Sequence, residues 1–416
     1  MMKKIAVVGA GISGLTAAWV LGRDHEVVVF EADARIGGHT CTVPVKDGAT
    51  EQQVDVGFIV FNNRTYPNFE KLLGQLGVGR QPAEMGFAIS CERTGVEYCG
   101  DGLGGLFAQK RNLLSPSHWR MILDILRFNR SASALLNTEA GELPLGEYLR
   151  QEGYSRAFLD HYILPMGGAI WSCSDKDMEA FPAKFFVRFF DNHGLLTINN
   201  RPQWYVVPGG STRYVEKLLA ELKADVRAAT PVLEVSRQEQ GVTIRSSSGV
   251  ENFDEVIFAC HSDQALALLA DANMDEKQLL GNIPYQNNEV VLHTDTRLLP
   301  RSRRAWSSWN ALLPKVRGDR VQVTYNMNIL QGIKSEQTWC VTLNATDRID
   351  PQKIVRRFNF SHPLFTQEGM ASRGALLEKI NGNQHTWFCG AWCRNGFHED
   401  GVVSALNVAA GFGAEL

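Results

Sequence analysis

Long apolar blocks and short alternating runs divide this chain into recognisable elements. Residues 5–22 carry no charged side chain. Within them Ile5–Val8, a glycine-punctuated turn and a second apolar stretch predict a buried strand followed by a buried helix. Val27-Val28-Val29-Phe30, closed by Glu31, predicts a second strand. Strict alternation returns in Val321-Gln322-Val323-Thr324-Tyr325 and Trp339-Cys340-Val341-Thr342-Leu343, which read as strands of a sheet flooring a pocket. From about 85 to 200 the pattern is largely helical, broken at Gly100-Asp101-Gly102, Ser115-Pro116-Ser117 and Gly167-Gly168. There Trp119, Met121, Ile122, Ile125, Leu126 and Phe128 fall on one helical arc, with Arg120, Arg127 and Arg130 on the other side. No internal repeat or low-complexity segment is present.

The first turn has the spacing G-x-G-x-x-G. Gly9 permits a tight turn out of the strand, Gly11 lets backbone approach a pyrophosphate, and Gly14 lets the helix sit close to the sheet. Ile12 and Ser13 open that helix, whose first amides face phosphate charge. Glu31 lies 20 residues beyond Gly11, where a carboxylate can hold ribose hydroxyls. Arg35 and the pair Gly37-Gly38 extend the cradle with a fixed positive charge and a second close backbone approach.

Together these residues resemble the FAD-binding signature of the flavin amine oxidase and phytoene desaturase superfamily. The nearest likeness is to its amine-oxidase-like NAD/FAD-binding subgroup. Further segments match in the family's order. Asp55-Val56-Gly57-Phe58 resembles the D-x-G segment, which lies against the flavin side. Pro208-Gly209-Gly210 resembles the return to the FAD domain, and the strand around Val232 resembles the one that contacts adenine. Phe253–Ala259 resembles the strand that follows. Gly390, Phe397, His398, Glu399 and Gly401 resemble the last FAD motif, at the ribitol and pyrimidine edge. The resemblance implies non-covalent FAD and an α/β fold: a GR2-type Rossmann FAD-binding domain from 1–85, 205–270 and 381–416, with an interleaved α+β substrate domain from 86–204 and 271–380.

Two departures from the family pattern matter. Ala391 stands where many relatives carry an acid for the ribitol, and no lysine occupies the strand Glu289–Asp295, where amine oxidases commonly place one near flavin N5. His293 is the nearest ionisable residue there. The resemblance therefore makes His293 and His398 the acid–base candidates, and Phe397 a wall facing the flavin.

Composition narrows the field without naming a substrate. A length of 416 with 44% hydrophobic and 21% charged residues is ordinary for a globular chain of two or three domain-sized units. A net charge of -3 with no dominant basic tract gives no argument for nucleic acid. The 8 cysteines form no C-x-x-C pair and read as reduced thiols, with no metal site expected. The uncharged N-terminal block behind Lys3-Lys4 could pass for a signal peptide, but cleavage would destroy the cradle, so export is rejected. Motifs for serine hydrolases, zinc proteases and P-loop NTPases are absent.

The expectation is an FAD-dependent oxidoreductase that takes hydride from a C–H bond of a hydrophobic, acyl or isoprenoid substrate. Oxidation of a small amine is the alternative, and a flavin- or NAD-binding regulator without turnover is the alternative of another class. The lack of a second G-x-G-x-x-G leaves the electron acceptor open. Five phenylalanines within Phe181–Phe190 could line an apolar tunnel, although core packing is the commoner role. The basic amphipathic stretch 110–130 could rest on an anionic membrane, although packing on its own domain is commoner. The expected location is the cytoplasm, with the inner membrane surface left open.

Overall fold

In the computed structural model, both backbone and side chains are described except at residues 172, 198–200, 317–319, 321 and 365; at 367, 368, 370–372, 375 and 376 only the backbone is described. Five short parallel strands form one sheet, in the order Asp225–Arg227, Glu26–Phe30, Lys4–Val8, Glu255–Phe258, Thr386–Phe388. Its strands are apolar without alternation because both faces are covered. Ile5, Val7, Val27 and Val29 pack towards the helices Ile12–Leu21 and His398–Gly411. Ala6, Val8, Val28 and Phe30 pack towards the antiparallel strands Val232–Gln238, Gly241–Ser246 and Gly249–Phe253.

A second, seven-stranded sheet runs Ile354–Pro363, Tyr285–His293, Cys340–Leu343, Gln322–Asn326, Trp309–Leu313, Phe87–Cys91, Glu97–Cys99. Segments more than 200 residues apart join where Phe87–Cys91 pairs in parallel with Trp309–Leu313. Both alternating runs read from the sequence are strands of this sheet, although Val321 lies outside the described residues. The helical segment packs beside it around Phe128, Phe158, Phe186 and Phe190, none more than 1% exposed. The architecture is α/β, a Rossmann-type unit interleaved with an α+β unit.

Two alternatives left open by the sequence are narrowed by the packing. Of the five phenylalanines at 181–190, only Phe189 reaches the large cavity; Phe181, Phe186 and Phe190 are core. The helix Pro116–Ser131 also does not separate its faces as its arc suggests. Met121 and Phe128 turn inward, but Trp119 and Leu126 are 43% and 41% exposed. Asp124 is buried on the inner side, accepting from the Ser155 N–H at 2.9 Å and pairing with Arg120 and Arg127. A buried carboxylate requires such donors, so two of the three arginines serve the fold as well as the surface.

Candidate functional site

The carboxyl ends of the parallel strands open into a cavity of about 1560 Å³ that continues to the seven-stranded sheet. Ligand pockets commonly hold ~300–1,000 Å³, so this one has room for a dinucleotide and a second molecule. The glycines form the expected cradle. Gly9 has φ +106°, open to glycine and strained for other residues. A Cβ on Gly14 would lie 1.9 Å from the Gly9 carbonyl oxygen, so the helix reaches the strand only through that glycine. A Cβ on Gly11 would meet only Gly38 Cα, at 4.0 Å, and would otherwise project into free space. The cradle is therefore kept open by the missing side chain, between a helix N-terminus and the Gly37-Gly38 turn, and it fits a pyrophosphate.

Glu31 and Arg35 both border the cavity, but their hydrogen bonds organise protein backbone. Glu31 accepts from the N–H groups of Ala10 (2.8 Å) and Asp33 (2.9 Å). Arg35 donates to the carbonyls of Thr40 (2.7 Å) and Gly38 (2.6 Å), clamping the second glycine turn. Ile12, Ser13, Gly57, Phe58, Val232 and Gly390 line the same space.

Asp55 holds two distant segments together. It is fully buried and accepts from Thr42 Oγ1 (2.6 Å), from the N–H and Oγ of Ser211 (both 2.8 Å) and from Gln331 Nε2 (2.9 Å). Burial lifts its carboxyl to about 6, against those hydrogen bonds. Gly57 follows because a Cβ there would lie 1.9 Å from the His39 carbonyl oxygen.

His398 stacks on Phe58 with ring centroids 3.6 Å apart, and its Nε2 is 2.8 Å from the Tyr214 hydroxyl, itself 2.6 Å from Thr40 Oγ1. Burial lowers His398 to about 3, so it is neutral at physiological pH. Phe397 lines the cavity and stacks on Phe189 at 4.9 Å. His193 also stacks on Phe189, with ring centroids 3.8 Å apart, donates from Nδ1 to the Phe189 carbonyl and is lowered by burial to about 4.

Three sequence candidates stand elsewhere. His293 does not line the cavity: it is fully buried in the sheet, bonded to Thr342 Oγ1 (2.6 Å) and to the Asp295 N–H (3.0 Å). Glu399 turns away from the cavity to cap the helix Pro67–Gln75, accepting from the Asn68 N–H and amide and from the Phe69 N–H at 2.7–3.0 Å. Gly401 is a helix-crossing residue, since a Cβ there would lie 2.8 Å from Ile12 Cγ2 and 2.9 Å from Ser13 Oγ. Glu399→Ala should thus cost about 3 kcal/mol of stability by orphaning buried donors. Denaturant unfolding checks this, and an unchanged midpoint would contradict the capping role.

The wall residues His39, His261, His362, Trp204, Trp309 and Tyr325 were not singled out as site residues in the sequence. No local spacing links them, because they meet only through the sheets.

The profile of the family described as flavin containing amine oxidoreductase matches residues 12–324. A candidate flavin-containing monoamine oxidase of Mycobacterium tuberculosis is 27% identical over 329 residues, 74% of this chain and 66% of that protein. The alignment therefore spans just under two thirds of that relative's length. Among solved structures, cyclohexylamine oxidase from Brevibacterium oxydans superposes with a TM-score of 0.68 at 16% identity, covering 99% of this chain and 98% of that one. A CLA-producing fatty acid isomerase from P. acnes superposes with a TM-score of 0.70, also at 16% identity and with the same coverage. At such identities the superpositions speak for the fold. The profile speaks for descent: this chain belongs to the flavin containing amine oxidoreductase family.

Proposed function

We propose that this chain is an FAD-dependent oxidoreductase that takes hydride from a C–H bond of an uncharged, largely hydrophobic substrate of acyl or isoprenoid type. The observation that carries the reading is the wall of the chamber beyond the cradle. Met85, Phe87, Met166, Ile170, Trp309 and Tyr325 line it, and the imidazoles there, His193 and His398, are neutral. Charge is confined to exposed residues such as Asp101 and Arg201. Apolar walls with few polar groups favour binding by burial of hydrocarbon.

In this reading Gly9, Gly11, Ile12, Ser13, Glu31, Arg35, Gly37 and Gly38 hold the adenosine and pyrophosphate of FAD, with Val232 beside the adenine. Gly57, Phe58, Gly390, Phe397 and His398 border its flavin end. Bound FAD supplies the two-electron acceptor for hydride. The chain orients the substrate against the Phe189–Phe397 stack, excludes water with aromatic walls, and keeps the chamber free of buried charge. The two sheets mark a proposed division into an FAD domain (1–85, 205–270, 381–416) and a substrate domain (86–204, 271–380).

The amine reading is favoured by one feature, Asp101, whose carboxylate accepts from Ser307 Oγ at 3.0 Å beside the cavity and could pair with an ammonium group. The M. tuberculosis relative's name points the same way. Anaerobic bleaching of the flavin absorbance separates the two. The proposal expects acyl or isoprenoid compounds to bleach it while small amines do not. Bleaching by amines alone, weakened in Asp101→Asn, would replace it with the amine reading.

A membrane surface is the proposed source of such a substrate. Leu103, Leu114 and Leu123 are 75%, 88% and 60% exposed. Their segments are contiguous, since Phe107 and Trp119 have ring centroids 5.0 Å apart and His118 Nε2 is 3.0 Å from the Leu106 carbonyl oxygen. Asp101, two residues before Leu103, lines the cavity, so the apolar patch adjoins its mouth. Lys110, Arg111 and Arg130 lie on the same stretch of chain and carry positive charge, complementary to anionic lipid. No helix among the described residues is long and apolar enough to cross a membrane. The eight cysteines are unpaired, in keeping with a reducing, cytoplasmic location at the inner membrane surface. Leu103→Asp with Leu114→Asp should abolish co-sedimentation with anionic vesicles at low salt and leave flavin content unchanged. Equal sedimentation of variant and parent would remove the membrane from the account.

A further inference from the structure

Three histidines distant in sequence meet on the cavity wall beside the glycine cradle. His39 directly follows Gly38, whose Cβ position would lie 3.0 Å from Gly11 Cα. His261 is two residues beyond Ala259, whose carbonyl oxygen lies 3.0 Å from the Cβ position of Gly9. The His39 ring centroid is 6.1 Å from that of His261 and 5.2 Å from that of His362, and all three line the cavity.

Their hydrogen bonds give them different roles. The Asn288 amide nitrogen lies 2.9 Å from His362 Nδ1, which must therefore accept. Asn288 is fixed in turn by donating to the Gln286 carbonyl and accepting from Asn344. His362 is thus held neutral. His261 caps the helix Ser262–Leu268 and stacks on Tyr285, with centroids 4.4 Å apart. His39 donates from Nε2 to the Ser361 carbonyl at 3.2 Å, while its Nδ1 has no hydrogen-bond partner among the described residues. His39 is the ring able to gain a proton without breaking a bond.

We propose that His39 is a further phosphate-binding residue, which takes up a proton when FAD binds and so makes cofactor affinity depend on pH. This rests on the placement of the pyrophosphate at Gly11. Without the cofactor, burial, then His362 and His261, then His398, keep His39 well below its ordinary value; only the Ser361 carbonyl opposes them. Burial lowers His261 against the opposing charge of Asp263, Tyr285 covers its ring, and the nearby Arg35 guanidinium is engaged by carbonyls. Glu31, on the far side of the turn, is tied to backbone N–H groups. A dianionic pyrophosphate entering beside His39 favours its charged form. The bound-state pKa then exceeds the free-state one, so affinity is highest at low pH and is lost as pH rises through the bound-state value. Uptake of one proton changes Kd by about tenfold per pH unit between the two values.

The test uses deflavinated protein titrated with FAD from pH 6 to pH 8, read by flavin fluorescence, with proton uptake measured calorimetrically in two buffers. The parent should bind about tenfold or more weakly at pH 8 than at pH 6 and take up close to one proton at the low end. His39→Gln should bind at pH 6 as weakly as the parent does at pH 8, with no slope. His39→Arg should bind tightly at every pH. A parent Kd constant within twofold, or a slope surviving in either variant, overturns the role of His39. Gly11→Val is the separate control: FAD binding retained there would refute the placement of the pyrophosphate instead.

Discussion

Gly11→Val should yield a folded protein that purifies without flavin. Gly11 sits in extended backbone, φ −77° and ψ −175°, which a β-branched residue adopts readily, and its Cβ direction meets no protein atom closer than 4.0 Å. The valine methyl groups would occupy the space proposed for the pyrophosphate, so flavin per chain should fall by more than tenfold while the thermal midpoint of the apoprotein is nearly unchanged. Gly14→Ala should behave in the opposite way. Its added carbon would lie 1.9 Å from the Gly9 carbonyl oxygen, forcing the helix off the sheet at a cost of about 3 kcal/mol or more. Ala391→Asp, on the cavity wall, should disturb binding far less than Gly11→Val. Visible absorbance per chain and a melting curve on the three variants distinguish loss of site from loss of fold.

Acid should destabilise the protein well before ordinary carboxylates titrate. His193 and His293 are 8% and 0% exposed, and burial holds each at about 4 in the folded chain. An unfolded histidine titrates near ~6.5, so each contributes stability that is complete above that value and is lost as pH falls towards 4. The loss is about 3 kcal/mol for each histidine at the acid end. His362, also near 4, and His398, near 3, add in the same direction. Asp55 works the other way. Its folded value of about 6 lies above the unfolded one, so its contribution is complete at low pH and is lost as pH rises through 6. One opposing group does not offset the histidines, and urea midpoints should fall steadily from pH 6.5 to pH 4.5. Midpoints that stay level or rise over that interval would show that the histidines are not held neutral.

The cradle was legible because its logic is local: a turn, a helix start and an acid at fixed separation are all specified within about thirty residues. The first two strands, the helix between them and the alternating strands of the second sheet followed from patterning for the same reason. The hydrogen bonds of Glu399 and His293 and the packing of Gly401 do not follow from motif position, which says neither which way a side chain turns nor which helix crosses at a glycine. Glu399 is claimed by the N-terminus of a helix more than 300 residues earlier, and Gly401 by a helix crossing at Ile12 and Ser13. Asp124 escaped notice because an acid amid arginines reads as surface, whereas the fold buries it under Ser155. The cluster of His39, His261 and His362 has no sequence signature, since three separate chain segments bring its members together.

The most direct test of the central claim is the identity of the cofactor released by heat or acid from the purified protein. The cradle, Glu31 and the Gly37-Gly38 turn are proposed to hold an adenosine and a pyrophosphate, so the account predicts one FAD per chain. Stoichiometric FMN, or tightly held NAD with no flavin, would contradict it.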